Sequence, residues 1–369
     1  MQSLTRDDLR AAVATGTLTE AQAASLMALA QARLDGRSAM TAEDEPFEFF
    51  RGFSEIFIAV GLIILLSGAV SLMALVGAGS GLFLVAPVGM AALSWWMAGY
   101  FTLQRRMVLP SIVLLMAFGM GVGGVLSWVF LQRDFPNPVA LAQWVSLSGA
   151  AAMAVWYWRV RLPVAMFFLG LSLLAALYVA AASPAEVVAF LERGSLEGVF
   201  DLRSRSSFAV ATLVFGLGAF AAAMWFDTRD PHRLGRHSAT GFWLHLLAAP
   251  ALVNTVALTL LNLGGTVGMM SVAAALTGIA VLALVIDRRS FLTAGIIYIA
   301  IVIAWLIRGE DGGDFGHLVA ILLALGAFIT ALGTFWVQLR AGLMRALPDF
   351  PGKRRLPPYD GPEALRSQE

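Results

Sequence analysis

Between residue 46 and residue 340 the chain alternates long apolar runs with short polar breaks. Ten runs stand out: Ile56–Val76, Leu82–Phe101, Val108–Phe130, Val139–Trp158, Leu162–Ala182, Ser207–Phe226, Thr240–Leu261, Thr266–Ile286, Phe291–Ile307 and His317–Leu339. About 20 residues at ~1.5 Å rise cross a ~30 Å hydrocarbon core, so each run is long enough to span a bilayer as a helix. Transmembrane strands would alternate apolar and polar residues over shorter segments, and these runs are continuous. The pattern predicts an all-α polytopic membrane protein with about ten transmembrane helices in residues 46–340. Residues 1–45 are predicted to form a helical hairpin with an acidic linker. Residues 341–369 are predicted to form a disordered tail, because the stretch after Leu347 is Pro-rich and polar.

Charge gives this array a direction. With the N-terminus in the cytoplasm, the cytoplasmic breaks are "QRRM", "WRVR", "DTRDPHRLGRH" and "DRRS", and the tail contains "GKRR". Twenty of the 25 Lys and Arg residues then fall on the cytoplasmic side and five outside. Positive residues are retained on the cytoplasmic face during insertion, so both termini are expected there. Tryptophans follow the same frame. Trp156, Trp158, Trp225 and Trp243 fall near the cytoplasmic ends of their runs, and Trp128, Trp144 and Trp305 near the outer ends, as an interfacial belt requires.

Composition narrows the setting. The chain is 59% hydrophobic and only 13% charged, against about 25% charged in soluble domains. The solvent for most of its surface must be lipid. A net charge of +1 gives no bulk attraction to nucleic acid. There are no cysteines, which excludes disulfides, thiolate metal sites and a cysteine nucleophile. The basic residues are arginines apart from Lys353. Together with heavy Ala, Leu and Gly use, this points to a GC-rich bacterial genome and a bacterial inner membrane. The polar first 50 residues lack the layout of a signal peptide.

The N-terminal segment carries helix punctuation. Thr5 with Asp8 and Thr19 with Gln22 are set as N-terminal caps, and Gly16 separates the two helices where a left-handed residue is needed. Ala23, Leu26, Met27, Ala30 and Leu34 form one apolar stripe on the second helix. So short a hairpin needs a surface to dock on, either the membrane domain or a protein partner. "EDEPFEFFRGF" then leads to the bilayer, with its phenylalanines at the interface. "DLRAAVATGTLTEAQAASLMAL", followed by acidic residues and a train of hairpins, resembles bacterial membrane proteins grouped under a domain-of-unknown-function label, and the hairpin is similar to short SHOCT-like modules. The specific likeness covers roughly the first 35 residues. It implies a helical hairpin ahead of several transmembrane helices, and it implies no activity or catalytic residue.

"RRMVLPSIVLL", "RVRLPVAMFFL" and "RRSFLTAGIIY" each open a run directly after a basic break. They suggest a repeated helix pair, although shared insertion rules produce the same pattern. Ser183, Pro184 and Gly194 bound a predicted short surface helix. Gly119 with Gly123, and Gly216 with Gly218, are placed for close helix packing.

Candidate chemistry is sparse. No Asp, Glu, Lys or Arg falls within a predicted spanning core, which argues against ion-coupled transport. His245, in "FWLHLLAAP", is the one histidine well inside a run. It suits a proton-relay or substrate contact at a cytoplasmic vestibule, or an interhelical hydrogen bond. Pro250 removes a donor to the Leu246 carbonyl and predicts a bend, and Asn254 lies one turn beyond. In the loop before this run, Asp227, Asp230, His232 and His237 match no ligand spacing. Arg229, Arg233 and Arg236 suit lipid headgroups or phosphate, or simply set topology. Glu310, Asp311 and Asp314 read as a solvated turn. Phosphate-loop, nucleophile-elbow, zinc and dinucleotide motifs are all missing. No catalytic residue, metal ligand set or cofactor is therefore expected. The functional expectation is permease-like handling of a small molecule or lipid. The alternative is a membrane scaffold that recruits a partner through its N-terminal hairpin.

Overall fold

In a computed structural model, residues 12–13, 15–19, 22, 53–80, 83–132, 138–181, 183, 197–204, 207–231, 233, 235–308 and 315–359 are described. They are helical, with no strand among them. The chain divides into two compact units, Met1–Asp44 with Asp360–Glu369, and Glu45–Tyr359. In the first, the Thr19–Gln22 capping box forms: Thr19 N–H donates to Gln22 Oε1 at 3.0 Å and Gln22 N–H to Thr19 Oγ1 at 3.3 Å. Gly16 takes φ +73°, the left-handed conformation its position requires. The Thr5–Asp8 cap, the apolar stripe, Phe47, Phe49 and Phe50, the body of the Ser183–Gly194 helix, His232 and the Glu310–Asp314 turn lie outside the described residues, and Phe53, the last of the predicted interfacial phenylalanines, is exposed.

The second unit contains a helix for every apolar run. These are α1 (Phe53–Ser80), α2 (Val85–Ala98, extended by a π-helical turn Gly99–Gln104), α3 (Val108–Leu131), α4 (Pro138–Val160) and α5 (Ala165–Ala181), then α6 (Ser207–Asp227), α7 (Arg236–Leu261), α8 (Gly265–Ile286), α9 (Ser290–Arg308) and α10 (Phe315–Thr334). A further helix, α11 (Trp336–Ala346), follows. Six of these (α1, α3, α4, α6, α7 and α8) are long and apolar enough to cross a membrane, and the bent pair α10–α11 makes a seventh if it is one span. Their outward faces carry Phe57, Ile64, Leu75 and Leu323, all large, apolar and exposed, as lipid contact demands. This is the architecture of an all-α membrane protein.

The last run departs from expectation. It was predicted to continue to Leu339, but the chain breaks at Phe335 and turns by 67° into α11. Trp336, Arg340 and Met344 recur every four residues and bury one face of α11, so this segment packs against the bundle by a stripe. The following residues also differ from the predicted disordered tail. Arg340 donates from Nη1 to the Pro358 carbonyl at 2.9 Å and from Nη2 to that of Pro357 at 2.6 Å. Lys353 Nζ donates to the Leu347 carbonyl at 2.8 Å. A proline segment has free carbonyls and few donors, so buried cations can hold it in place.

Neighbouring helices pair as hairpins. The most extensive helix contacts are α6 with α7, α2 with α3, and α4 with α5. The turns inside these pairs, and the α8–α9 turn, each contain one non-glycine residue with positive φ: Arg106 (53°), Arg161 (51°), Arg233 (54°) and Asp287 (57°). A left-handed residue ends a helix sharply by letting the next N–H reach back to an orphan carbonyl. Arg288 N–H does this to Ala283 O at 2.9 Å. Met107 N–H makes the same kind of bond to Phe101 O at 3.1 Å, so the turns at Arg106 and Asp287 share this device, while the four turns share the left-handed residue.

Three buried clusters hold the bundle, and the smallest, Phe215, Ala219, Leu247, Ala248 and Ala251 packed against Leu174 and Leu177, joins α5 to α6 and α7. The first, in α1–α5, gathers Leu62, Leu66, Leu114, Leu115 and Val164 around Trp156. Trp156 is fully buried between Trp95 and Phe118, at centroid distances of 5.8 and 4.8 Å. It is therefore a core residue and not part of the interfacial belt to which its sequence position assigned it. Trp158 and Trp225 are exposed. Of the predicted close-packing glycines, Gly119, where a Cβ would meet Met153 at 3.2 Å, and Gly216 pack tightly, and two glycines not predicted do so as well. A Cβ on Gly121 would meet the α2 backbone at 2.6 Å and one on Gly124 would meet Pro87 at 2.8 Å, whereas Gly123 faces open space. Gly216 abuts Leu252 at 2.9 Å, and Gly218 does not pack closely. The second core, in α6–α11, includes Ala249, Val253, Val272, Phe291 and Trp336. At its centre is α7, with half of its apolar window buried (50%), against 17% for α1.

Candidate functional site: a buried ionic node at the arginine-rich end

Asp227 is the last residue of α6 and is buried. It turns inward because α7 offers a channel for it. Ser238, Gly241 and His245 are spaced three and four residues apart, so they share one helix face. At Gly241 the missing side chain is essential: a Cβ there would stand 2.1 Å from Asp227 Oδ1. His245, one turn further in, places Nε2 2.9 Å from Asp227 Oδ2. The imidazole is fully buried, with Phe220 and Phe291 at centroid distances of 5.7 and 5.8 Å.

The third member is Arg288, in the turn between α8 and α9. Its Nε donates to Asp227 Oδ2 at 3.0 Å and its Nη2 to Oδ1 at 2.5 Å, a two-point guanidinium–carboxylate pair. Nη2 also donates to the Ser238 carbonyl at 3.1 Å. Arg288 has no exposed surface. The node therefore ties the α8–α9 turn to both helices of the α6–α7 hairpin. It is also under-satisfied. His245 Nδ1, Arg288 Nη1, Ser238 Oγ and Ser290 Oγ are buried without a hydrogen-bond partner, which native structures seldom tolerate without a reason.

A second ionic cluster lies beside the first. Arg233 pairs with Asp287 Oδ2 at 3.1 Å and also donates to the Asp287 carbonyl. Trp336 Nε1 donates to Asp287 Oδ1 at 2.7 Å, and Arg340 Nε lies 3.7 Å from the same oxygen. Burial alone would raise the Asp287 carboxyl, but Arg233, Arg340 and the Trp336 hydrogen bond outweigh it and hold it below the usual carboxylate value. The two clusters are reciprocal. The end of α6 and its following turn supply Asp227 and Arg233, and the turn after α8 supplies Asp287 and Arg288, so each side gives one acid and one base to the other.

The sequence candidates fall in different places. His245 is in the node. Pro250 sits within α7, which remains one helix through it. Asn254 is half-buried nine positions beyond His245, roughly 13 Å along the axis at ~1.5 Å per residue, so the two do not share a site. Arg233 is committed to Asp287. Arg229 is exposed and stacks on Trp225 at 3.5 Å, and Arg236 is exposed at the start of α7. Only the last two keep guanidinium surface for headgroups. Asp227 and Arg288 lie just past the ends of their apolar runs, where the sequence reading placed them, and the fold buries them together. The one available signal was the Ser238–Gly241–His245 face, which leaves space for a neighbour's side chain.

Chemically, a neutral His245 that donates from Nε2 has its lone pair on Nδ1. The node thus combines a fixed ion pair with one unfilled acceptor on a titratable ring. No family model, curated protein or solved structure matches the chain.

Proposed function

We propose that the chain is a multi-pass protein of the bacterial inner membrane that handles a small molecule or lipid in a permease-like way. In this reading all ten helices α1–α10 cross the bilayer, α11 and the tail lie at the cytoplasmic face, and both termini are cytoplasmic. The four basic turns then share one side with the tail, as the positive-inside rule asks. The N-terminal hairpin is of the SHOCT-like type and docks on the membrane domain or on a partner.

The observation that carries the reading is the Asp227–His245–Arg288 node, buried where three helical segments converge. Ionisable groups packed among membrane helices are expensive, and they mark pathways and moving parts. A bundle needing only an anchor could fill that space with apolar side chains at no loss of stability.

The test is transport by purified protein in sealed vesicles. Solute entry is followed by light scattering across neutral and charged small molecules, and lipid movement by dithionite quenching of a labelled phospholipid. Activity above protein-free vesicles, lost in Asp227→Asn, is the expected outcome. Activity equal to protein-free vesicles throughout removes the permease-like reading. Reporter fusions at each turn check the topology, and an outside signal at the 228–235 turn would overturn it.

A further inference from the structure

We propose that His245 is a proton-binding site, and that a proton taken up at its Nδ1 releases Arg288 from Asp227 and opens the arginine-rich end of the bundle. Its purpose rests on the permease-like reading, but its test does not.

The argument is a competition for one carboxylate. Asp227 accepts two bonds from Arg288 and one from His245. While His245 is neutral, the node holds one negative and one positive charge and is balanced. Protonation forms an N–H bond at Nδ1 with a proton from hydronium, which departs as water. Nothing is oxidised or reduced. Two buried cations then face a single carboxylate.

Among the described residues no other acid faces His245 to restore balance. The charged groups facing His245 are Asp227 from α6, Arg288 from the α8–α9 turn and, more remotely, Arg233 from the α6–α7 turn. Its remaining close neighbours, Phe220 and Phe291, are neutral. Asp287 is engaged by Arg233, Trp336 and Arg340. An excess charge in a dry site is costly unless it moves to water.

Of the two cations, Arg288 is the one able to leave. His245 is fixed well inside α7, the most buried helix. Arg288 is two residues past the end of α8, in a turn, on a long flexible side chain. Its Nη1 has no hydrogen-bond partner, and the hydroxyls of Ser290, two residues on, and of Ser238, whose carbonyl Nη2 already meets, have none either. When Arg288 withdraws, its bonds to Asp227 and to the Ser238 carbonyl break together, and these link the α8–α9 turn to the α6–α7 hairpin.

The chain has no cysteine, so one introduced thiol reports on one place. Ser238→Cys substitutes a buried hydroxyl that has no hydrogen-bond partner. In the full-length protein in lipid nanodiscs, its reaction with 4,4′-dithiodipyridine is normalised at each pH to that of exposed Ala346→Cys. Between about pH 8 and pH 5, the range in which histidine charges, the normalised rate should rise about tenfold or more. In His245→Gln, whose amide still donates to Asp227 but takes no proton, it should stay flat. A flat response in both, or an equal rise in both, overturns the proposal. Should His245→Gln fail to fold, nitrogen NMR decides, with His232, His237 and His317 replaced by Gln and His245 the only histidine of the four. Protonation of Nδ1 over the range of the rate increase supports the switch, and an unprotonated Nδ1 throughout overturns it. Solute flux is measured in parallel. A switch without flux removes the permease-like reading alone, and flux without a switch removes this inference alone.

Discussion

The two halves of the bundle bury polar groups in opposite ways. In α1–α5 the core is aromatic and aliphatic around Trp156, and the buried carboxylate Glu55 accepts the backbone N–H groups of Val108 and Leu109 at 3.1 and 3.2 Å. It caps the start of α3, and its partners cannot leave. In α6–α11 the buried carboxylate Asp227 and the half-buried Asp287 are held by side chains of other segments: Arg288, His245, Arg233, Trp336 and Arg340. Side-chain partners on turns can change rotamer or protonation state, and backbone amides at a helix start cannot. The first half is built to stay as it is, and the second has an element with a second arrangement open to it.

The largest effects should come from removing one partner of the buried pair. Asp227→Ala strands Arg288 without a counter-charge and should cost about 3–5 kcal/mol. Trp156→Ala in the other half should cost about as much, ~3–5 kcal/mol, through a cavity. The two should part on rescue. Asp227→Leu combined with Arg288→Met should recover most of the lost stability, since apolar replacement of a whole buried ion pair is often neutral. Thermal unfolding of the single and double variants in nanodiscs checks this. A double variant as unstable as Asp227→Ala would mean that the node, like the Trp156 core, is structural.

That contrast was only half legible along the chain. All ten apolar runs became helices, because continuous hydrophobicity at spanning length has few other solutions in lipid. The hairpin turns announced themselves by their arginines. The node did not, since Asp227 and Arg288 are 61 residues apart and each ends an apolar run where a charge looks solvated. Which way a helix-end side chain points is decided by the neighbouring helix, and a single run does not contain that information. Gly121 and Gly124 illustrate the same limit. The motif spacing singled out Gly119 and Gly123, but the face of α3 that meets α2 is set by packing.

Gly241 offers a sharper test within the second half. A methyl group there would collide with Asp227 Oδ1, and one on Gly218 would meet nothing within 4 Å. Gly241→Ala should therefore lose about 1–3 kcal/mol by overpacking, while Gly218→Ala should be neutral or slightly stabilising. Gly241→Ala should also raise the Ser238→Cys labelling rate at neutral pH. Stability equal to that of Gly218→Ala would show that the carboxylate is not seated against α7.

A smaller difference should appear in acid. The Asp287 carboxyl is held below its ordinary value of 3.8, since Arg233, Arg340 and Trp336 outweigh the opposing effect of burial. A depressed carboxylate contributes stability that is fully present above its unfolded pKa and is lost as pH falls through the lower folded value. Wild type should therefore lose stability progressively below about pH 4. Asp287→Asn should lack that contribution at neutral pH and converge with wild type in acid. Parallel curves at every pH would remove the ion pairs as the cause.

The smallest effect tests the static half. Glu55→Gln keeps an acceptor for the Val108 and Leu109 N–H groups but removes the negative charge at the start of α3. A carboxylate in the first turn gains from the helix dipole, so the change should cost only about 0.3–1 kcal/mol. It should leave Ser238→Cys labelling unaltered at any pH, because among the described residues no cation pairs with this carboxylate. The proton-dependent behaviour assigned to α6–α11 requires a carboxylate shared between two cations, and among the described residues Glu55 is shared between two amides. If Glu55→Gln shifted the pH response as His245→Gln does, the two halves would be one coupled body, and the division between a fixed frame and a switchable end would be wrong.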